Sequence, residues 1–168
     1  MDNRTFRAPD GDTRDETHFG EAQEQWLYAI LTSGNPAWVI SGDQFFGGYH
    51  SKESYEGEHP NSFRKLVEEL RKSASPVFFV SGDRHYSEVM ALKSDILGYP
   101  TAEITSSAMH SFSHLDPGKN PDRVDSTSAH SFTMIEANRV VDGLSLQVSA
   151  WGRTKNKIYE SLFTLRRQ

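Results

Sequence analysis

Two segments of the chain carry apolar residues at helical spacing, and each is followed by a short, uninterrupted apolar run. Residues 21–32 (EAQEQWLYAILT) and residues 62–73 (SFRKLVEELRKS) place apolar side chains on one helical face, which predicts two amphipathic helices. The runs at residues 37–40 (AWVI) and 76–80 (PVFFV) are typical of buried strands, and both continue into Ser-Gly-Asp. This repeated unit of a helix and a strand predicts neighbouring strands in a partly parallel, helix-covered sheet.

The last part of the chain has a different pattern, with apolar and polar positions alternating between turn residues. Three segments show it: residues 130–137, 144–150 and 157–165. Such alternation predicts an antiparallel meander. Residues 102–105 (AEIT) predict one further short strand, while residues 45–61 and 111–128 lack a sustained period and are interpreted as loops. The predicted fold class is therefore α/β, in the mixed α+β sense.

Composition limits the classes of partner and cofactor. The chain has 168 residues, a net charge of −5 and no cysteine, and we assign residues 1–168 to a single domain. The lack of cysteine excludes disulfides, cysteine nucleophiles and iron–sulfur clusters. The acidic balance and the lack of a long basic cluster argue against nucleic-acid and membrane partners. The first 20 residues contain no apolar signal core and do not define a localisation.

The sharpest candidate chemistry follows the second predicted strand, where Asp83 and His85 stand two residues apart. Ligands and active sites of open α/β sheets lie beyond the carboxyl ends of the strands. A carboxylate and an imidazole suit a divalent or trivalent metal ion, and a complete site needs further ligands from elsewhere. The alternative is that Asp83 caps a helix beginning at Arg84 while His85 packs on the surface.

Other polar features are less specific. Asp43 ends the first Ser-Gly-Asp and is interpreted as a structural turn residue that could also reach a site. Residues 105–110 (TSSAMH) combine hydroxyls with an imidazole that could contact phosphate oxygens. We expect most of the other histidines to be solvated in polar loops: His18, His50, His59, His114 and His130. The sequence contains no serine-hydrolase elbow, zincin, P-loop or dinucleotide-binding motif.

An ordered series of segments resembles the C-terminal half of the alkaline phosphatase D (PhoD-like) metallophosphoesterases. The series is DNRTFR (residues 2–7), FGEAQEQWL (19–27), the strand and loop of residues 38–46, ESYEG-x-HP (53–60), FFVSGDRHYSE (78–88), EITSSAMHS (103–111) and the terminal meander. These segments span nearly the whole chain in the family's order. The S-G-D-x-H element of residues 81–85 is the most diagnostic among them.

The resemblance implies a partial calcineurin-like metallophosphoesterase β-sandwich, flanked by helices and ending in an antiparallel meander. It implies that Asp83 and His85 are catalytic metal ligands, and that Arg4 and His110 bind the substrate or support the site. The implied cofactors are divalent or trivalent metal ions such as calcium or iron. The implied substrate is a phosphate ester, whose attacking and leaving oxygens a metal pair stabilises. Members of this family are often exported.

The resemblance also implies that the N-terminal half of the domain, with most of the metal ligands, is absent from this sequence. We therefore expect a truncated or partial phosphoesterase with an incomplete metal centre. We also expect an exposed edge or apolar face where the missing half would pack and through which the chain could associate. Two alternatives are a non-catalytic binding domain that uses the aromatic loop of residues 45–55, and an unrelated α/β domain whose Ser-Gly-Asp turns are only caps.

Overall fold

The structure is a computed structural model that describes residues 1–7, 17–50, 52–107, 109–110, 112–113 and 118–166. Its elements in chain order are α1 (Glu21–Leu31), β1 (Ala37–Ile40), α2 (Tyr55–Glu58), α3 (Pro60–Lys72), β2 (Val77–Ser81), β3 (Ser87–Leu92), α4 (Ser94–Leu97), β4 (Thr101–Thr105), β5 (Arg123–Thr127), β6 (Ser131–Val140), β7 (Gly143–Gly152) and β8 (Lys157–Arg166).

Five strands form a mixed sheet in the order β1-β2-β4-β3-β5. Strands β1, β2 and β4 run parallel to one another, whereas β3 runs antiparallel to both of its neighbours. The consecutive residues Val77, Phe78 and Phe79 of β2 are all buried, because the strand is covered on both faces. The predicted partly parallel sheet is confirmed. Strands β1 and β2 end side by side, so their carboxyl ends lie on the same side of the sheet.

The other three strands form the antiparallel sheet β6-β7-β8, which confirms the predicted meander. Strand β8 contacts β4 and β5, so the two sheets pack together. Helices α1 and α3 also pack against each other, and their buried leucines, Leu27 and Leu66 among them, join the same hydrophobic core as β2. Two packed sheets with flanking helices agree with the predicted fold class.

Some elements lie where the sequence pattern predicted loops or no strand. Helix α2 and the beginning of α3 fall within residues 45–61, and β5 falls within residues 111–128. Strand β3 has no counterpart in the prediction, because its side chains do not alternate simply between apolar and polar. It carries the fully buried Glu88, which pairs with the guanidinium of Arg123 on β5. Inward-facing polar pairs of this kind hide the period by which a strand is identified.

One edge strand of the five-stranded sheet is β1, and it carries exposed apolar side chains. Trp38 and Ile40 on β1 are exposed, as are Trp26 and Ile30 on α1. An edge strand with apolar side chains is the kind of surface against which further strands pack. What covers this edge stays a prediction. Among the residues that the structure describes, no helix is long and apolar enough to cross a membrane.

Candidate functional site

The two Ser-Gly-Asp segments lie side by side at the carboxyl ends of β1 and β2. We call residues 41–43 the first turn and residues 81–83 the second turn. The strand register pairs Ile40 with Val80, and the N–H of Gly82 donates to the carbonyl oxygen of Gly42 at 3.1 Å. A Cβ atom at Gly82 would lie 3.1 Å from that same oxygen. The close approach of the two turns therefore favours glycine at this position.

The second turn holds its candidate ligands in an unusual backbone conformation. Asp83 has φ of 61° and His85 has φ of 56°, which is the left-handed region that non-glycine residues rarely adopt. Such conformations cost about 1–3 kcal/mol each and cluster at functional sites. No helix follows Asp83, because the chain continues through bends into β3 at Ser87. The alternative interpretation of Asp83 as the cap of a helix at Arg84 is therefore wrong.

Arg4 reaches the second turn from the N-terminal segment. Its guanidinium donates to the carboxylate of Asp83, with the two side chains 60% and 30% exposed. The carboxylate of Asp2 holds the segment in place by accepting from the N–H groups of Arg4 and Thr5, each at 2.9 Å. These hydrogen bonds, from Thr5 first, lower the pKa of the Asp2 carboxyl. The structure thus brings together two of the four predicted site residues, Arg4 and Asp83.

The loop after β4 forms another side of the second turn. The N–H of His85 donates to the hydroxyl of Ser107 at 3.3 Å, so the hydroxyl-bearing loop lies beside the predicted ligands. His110, the fourth predicted residue, is exposed further along this loop. Its assignment as a phosphate contact stays a prediction.

The first turn is buried and surrounded by partners. Asp43 is 1% exposed, and its Oδ1 lies 3.1 Å from His18 Nε2 and accepts from Ser41 Oγ at 3.0 Å. Arg7 Nη1 lies 3.8 Å from the other carboxylate oxygen. Burial acts to raise the pKa of Asp43, but its interactions, with His18 above all, outweigh that effect and lower the pKa. The interpretation of Asp43 as a structural turn residue agrees with this environment.

Three side chains of metal-binding type converge next to the first turn. One donor atom from each of His18, Glu58 and His59 lies within 4.8 Å of the others. His18 and His59 are 0% and 4% exposed, so the expectation that these two histidines are solvated is wrong. His50 and His130 are half-buried, and His114 lies outside the described residues. The sequence signal for this cluster is weak, because His18 is far along the chain from the adjacent Glu58 and His59.

A buried carboxyl group supports the segment after the first turn. Glu103 on β4 is fully buried and accepts from the N–H groups of Phe45 and Phe46, each at 2.8 Å, and from Ser81 Oγ at 2.7 Å. Burial raises the pKa of Glu103 to about 7, although the hydrogen bonds it accepts act to lower it. Sequence reasoning missed this residue. Its one sequence signal was a glutamate inside the short strand AEIT.

The aromatic loop of residues 45–55 does not provide the contact surface that the alternative of a non-catalytic binding domain required. Phe45, Phe46 and Tyr55 are 0%, 8% and 1% exposed. Their rings pack on Phe79 of β2 and Phe63 of α3. This part of the alternative is wrong, because the aromatic side chains fill the core between the helices and the sheet.

The comparisons with known proteins agree with this architecture. A family model described as PhoD-like phosphatase matches residues 1–148. No match is found among curated proteins. A solved structure titled "Structure of PhoD" aligns with a TM-score of 0.67 at 15% identity, covering 100% of this chain and 39% of that chain.

A second solved structure, titled "GAP50 the anchor in the inner membrane complex of Plasmodium", aligns with a TM-score of 0.59 at 18% identity. The alignment covers 89% of this chain and 44% of the chain in that solved structure. At these identities the likeness shows the fold. The chain spans less than half the length of either structure.

Proposed function

We propose a metal-dependent phosphoesterase function for this chain, which belongs to the PhoD-like phosphatase family. The family and its fold suggest hydrolysis of phosphate esters, and the family is metal-dependent. The observation that carries the proposal for this chain is the pair Asp83 and His85. They lie beyond the end of β2, within the matched residues, and both have left-handed backbone.

Asp83 and His85 are the proposed metal ligands. A carboxylate and an imidazole fit a divalent or trivalent ion such as calcium or iron. The carboxylate of Asp83 already pairs with a cation, the guanidinium of Arg4, so its position suits a positive charge. When bound, metal ions supply an activated water and stabilise the oxygens of an in-line displacement.

Arg4 and His110 are the proposed phosphate-binding residues. The planar guanidinium of Arg4 offers paired N–H donors that match phosphate oxygens. Arg4 is largely exposed and held by the turn at Asp2, so its head group can bind a ligand from solvent. His110 would add an imidazole donor from the exposed loop after β4.

We propose that the other ligands of the centre come from polypeptide outside this sequence. Among the described residues, Asp83 and His85 do not belong to a cluster of three or more His, Asp or Glu donor atoms. The chain also spans only 39% of PhoD. The exposed apolar side chains of β1, Trp38 and Ile40, provide an edge against which such polypeptide would pack.

The test is metal analysis together with hydrolysis of an aryl phosphate and a bis-aryl phosphate, by the chain joined to the polypeptide that supplies the remaining ligands. We expect Asp83→Asn and His85→Ala to lower kcat/KM about 100-fold or more. Asp142→Asn is the matched control, because Asp142 also has a left-handed φ, 62°, but lies in the exposed turn between β6 and β7. Activity that survives both site substitutions would contradict the assignment of the two ligands.

A second candidate is a non-catalytic domain that retains the phosphoesterase fold. It is favoured by the pairing of Asp83 with Arg4, which neutralises the carboxylate without a metal ion. This candidate predicts no hydrolysis of either ester and a metal content that Asp83→Asn does not change. The same measurements therefore distinguish the two functions.

A further inference from the structure

The cluster of His18, Glu58 and His59 contains the donor types of a zinc site. Two imidazoles and a carboxylate, with one donor atom from each within 4.8 Å of the others, form a ligand set that Zn²⁺ accepts in proteins. The three residues come from two places in the chain. His18 precedes α1, while Glu58 and His59 form the junction between α2 and α3.

The burial and hydrogen bonding of the His18 ring provide an independent reason to expect a bound metal ion. The ring is fully buried, and its Nε2 lies 3.1 Å from Asp43 Oδ1. Its other nitrogen, Nδ1, is buried and has no hydrogen-bond partner. Buried polar atoms nearly always have a partner. A histidine that donates one N–H to a carboxylate presents its other nitrogen as a lone pair, as metal-binding histidines do.

The surrounding charges also favour a cation. Asp43 and Glu58 both contact Arg7, at 3.8 Å and 2.9 Å, so two carboxylates share one guanidinium. Glu58 Oε1 also accepts from the N–H of Glu53 at 2.9 Å. These contacts orient the carboxylate of Glu58, and its remaining lone pairs can bind a metal ion. Among the described residues, the two carboxylates beside one guanidinium would accommodate a further positive charge, which a bound cation would supply.

We propose that His18, Glu58 and His59 bind a structural divalent cation of the Zn²⁺ class. The ion would connect the segment before α1 to the junction between α2 and α3. Helix α2 has only four residues, and a helix of that length gains little stability from its own hydrogen bonds. This site is separate from Asp83 and His85 and does not depend on the phosphoesterase proposal.

The experiment uses the full chain after removal of metals with a chelator, and Zn²⁺ alone as the probe. Calorimetric titration should give one tightly bound ion, since the centre at Asp83 and His85 lacks its other ligands in this chain, and saturating Zn²⁺ should raise Tm by about 5 °C. Substitution of Co²⁺ should give the visible spectrum of a tetrahedral ion with nitrogen and oxygen ligands. His59→Gln and Glu58→Gln should each weaken Zn²⁺ binding about 100-fold or more.

The control variant is Asp83→Asn combined with His85→Ala, which should retain both the bound ion and the rise in Tm. Loss of the ion in that control would overturn the proposal, because it would place the metal at the second turn. Full binding in His59→Gln, or no binding in the unmodified chain, would also overturn it. The control needs neither His18 nor His59 to be replaced, so the proposal can be tested even where a cluster variant does not fold.

Discussion

The two Ser-Gly-Asp turns have the same three residues at the ends of neighbouring parallel strands, yet their aspartates differ in burial, backbone conformation and hydrogen-bond partners. The side chain of Asp43 is 1% exposed and lies against His18, Ser41 and Arg7. The backbone of Asp83 is left-handed, and its side chain is 30% exposed and pairs with Arg4. One carboxylate belongs to the interior, and the other faces solvent.

The difference comes from the segment on the C-terminal side of each turn. After Asp43, the N–H groups of Phe45 and Phe46 donate to the buried carboxyl of Glu103, which draws the chain into the core. After Asp83, Arg84 and His85 are only half-buried, and the chain enters the interior at Tyr86, directly before β3. The tripeptide therefore identifies a strand-end turn. The layers around it decide whether its carboxylate is structural or accessible.

The largest effect that would test this comparison is on folding stability. Asp43→Ala removes the partner of His18 Nε2 and of Ser41 Oγ inside the protein, and we expect a loss of about 3 kcal/mol in the free energy of unfolding. Asp83→Ala removes a partly exposed ion pair and should cost less than about 1 kcal/mol. Urea denaturation of both variants measures the contrast. Equal losses would show that the two turns are not energetically different.

A second effect, of similar size, concerns pH and the carboxyl that supports the first turn. The pKa of Glu103 is raised from 4.5 to about 7, so the folded protein keeps a proton that the unfolded chain releases. The associated stability is fully present below pH 4.5 and is lost as the pH rises to about 7, by about 3 kcal/mol.

Denaturant titrations of the unmodified chain and of Glu103→Gln between about pH 4 and pH 8 measure this slope, because that interval spans the shifted pKa. The substitution changes the absolute stability as well, so the informative quantity is the difference in slope. We expect the variant to lose less stability than the unmodified chain over this interval. Parallel curves would mean that Glu103 does not titrate differently in the folded and unfolded states.

The smallest effect is expected at the second turn itself. Asp83→Gly removes a side chain from a residue with φ of 61°, and glycine adopts that conformation without a steric penalty. The relief of strain offsets the loss of the pair with Arg4, so stability should change by less than about 1 kcal/mol, in the stabilising direction. Asp142→Gly, with φ of 62°, is the matched control. A clear loss of stability in Asp83→Gly alone would assign a structural role to its carboxylate.

The apolar pattern was sufficient where side chains face a continuous apolar layer. The runs at residues 37–40 and 76–80 became β1 and β2, and the alternating segments at the end of the chain became β6, β7 and β8. It failed for β3 and β5, whose inward polar side chains, Glu88 and Arg123, compensate each other. Compensation between distant residues leaves no local pattern to detect.

The same limit applies to the candidate sites. Asp83 and His85 were identifiable because they follow a recognisable strand and stand two residues apart. The cluster of His18, Glu58 and His59 was not, because its members lie in segments whose polar composition is typical of solvated loops. Glu103 was missed for the same reason, since a lone glutamate in a short strand gives no sign of the backbone N–H groups from which it will accept.

The sequence by itself determined the class of fold, the family and the position of the two strand-end turns, because these depend on local periodicity and on ordered motifs. Only the tertiary structure decided which aspartate is buried, which histidines converge and which carboxyl holds a raised pKa. Those properties depend on solvent exclusion and on partners supplied by remote segments. The identity of a residue determines which group can ionise or bind. The packing around that group determines its burial and its electrostatic environment.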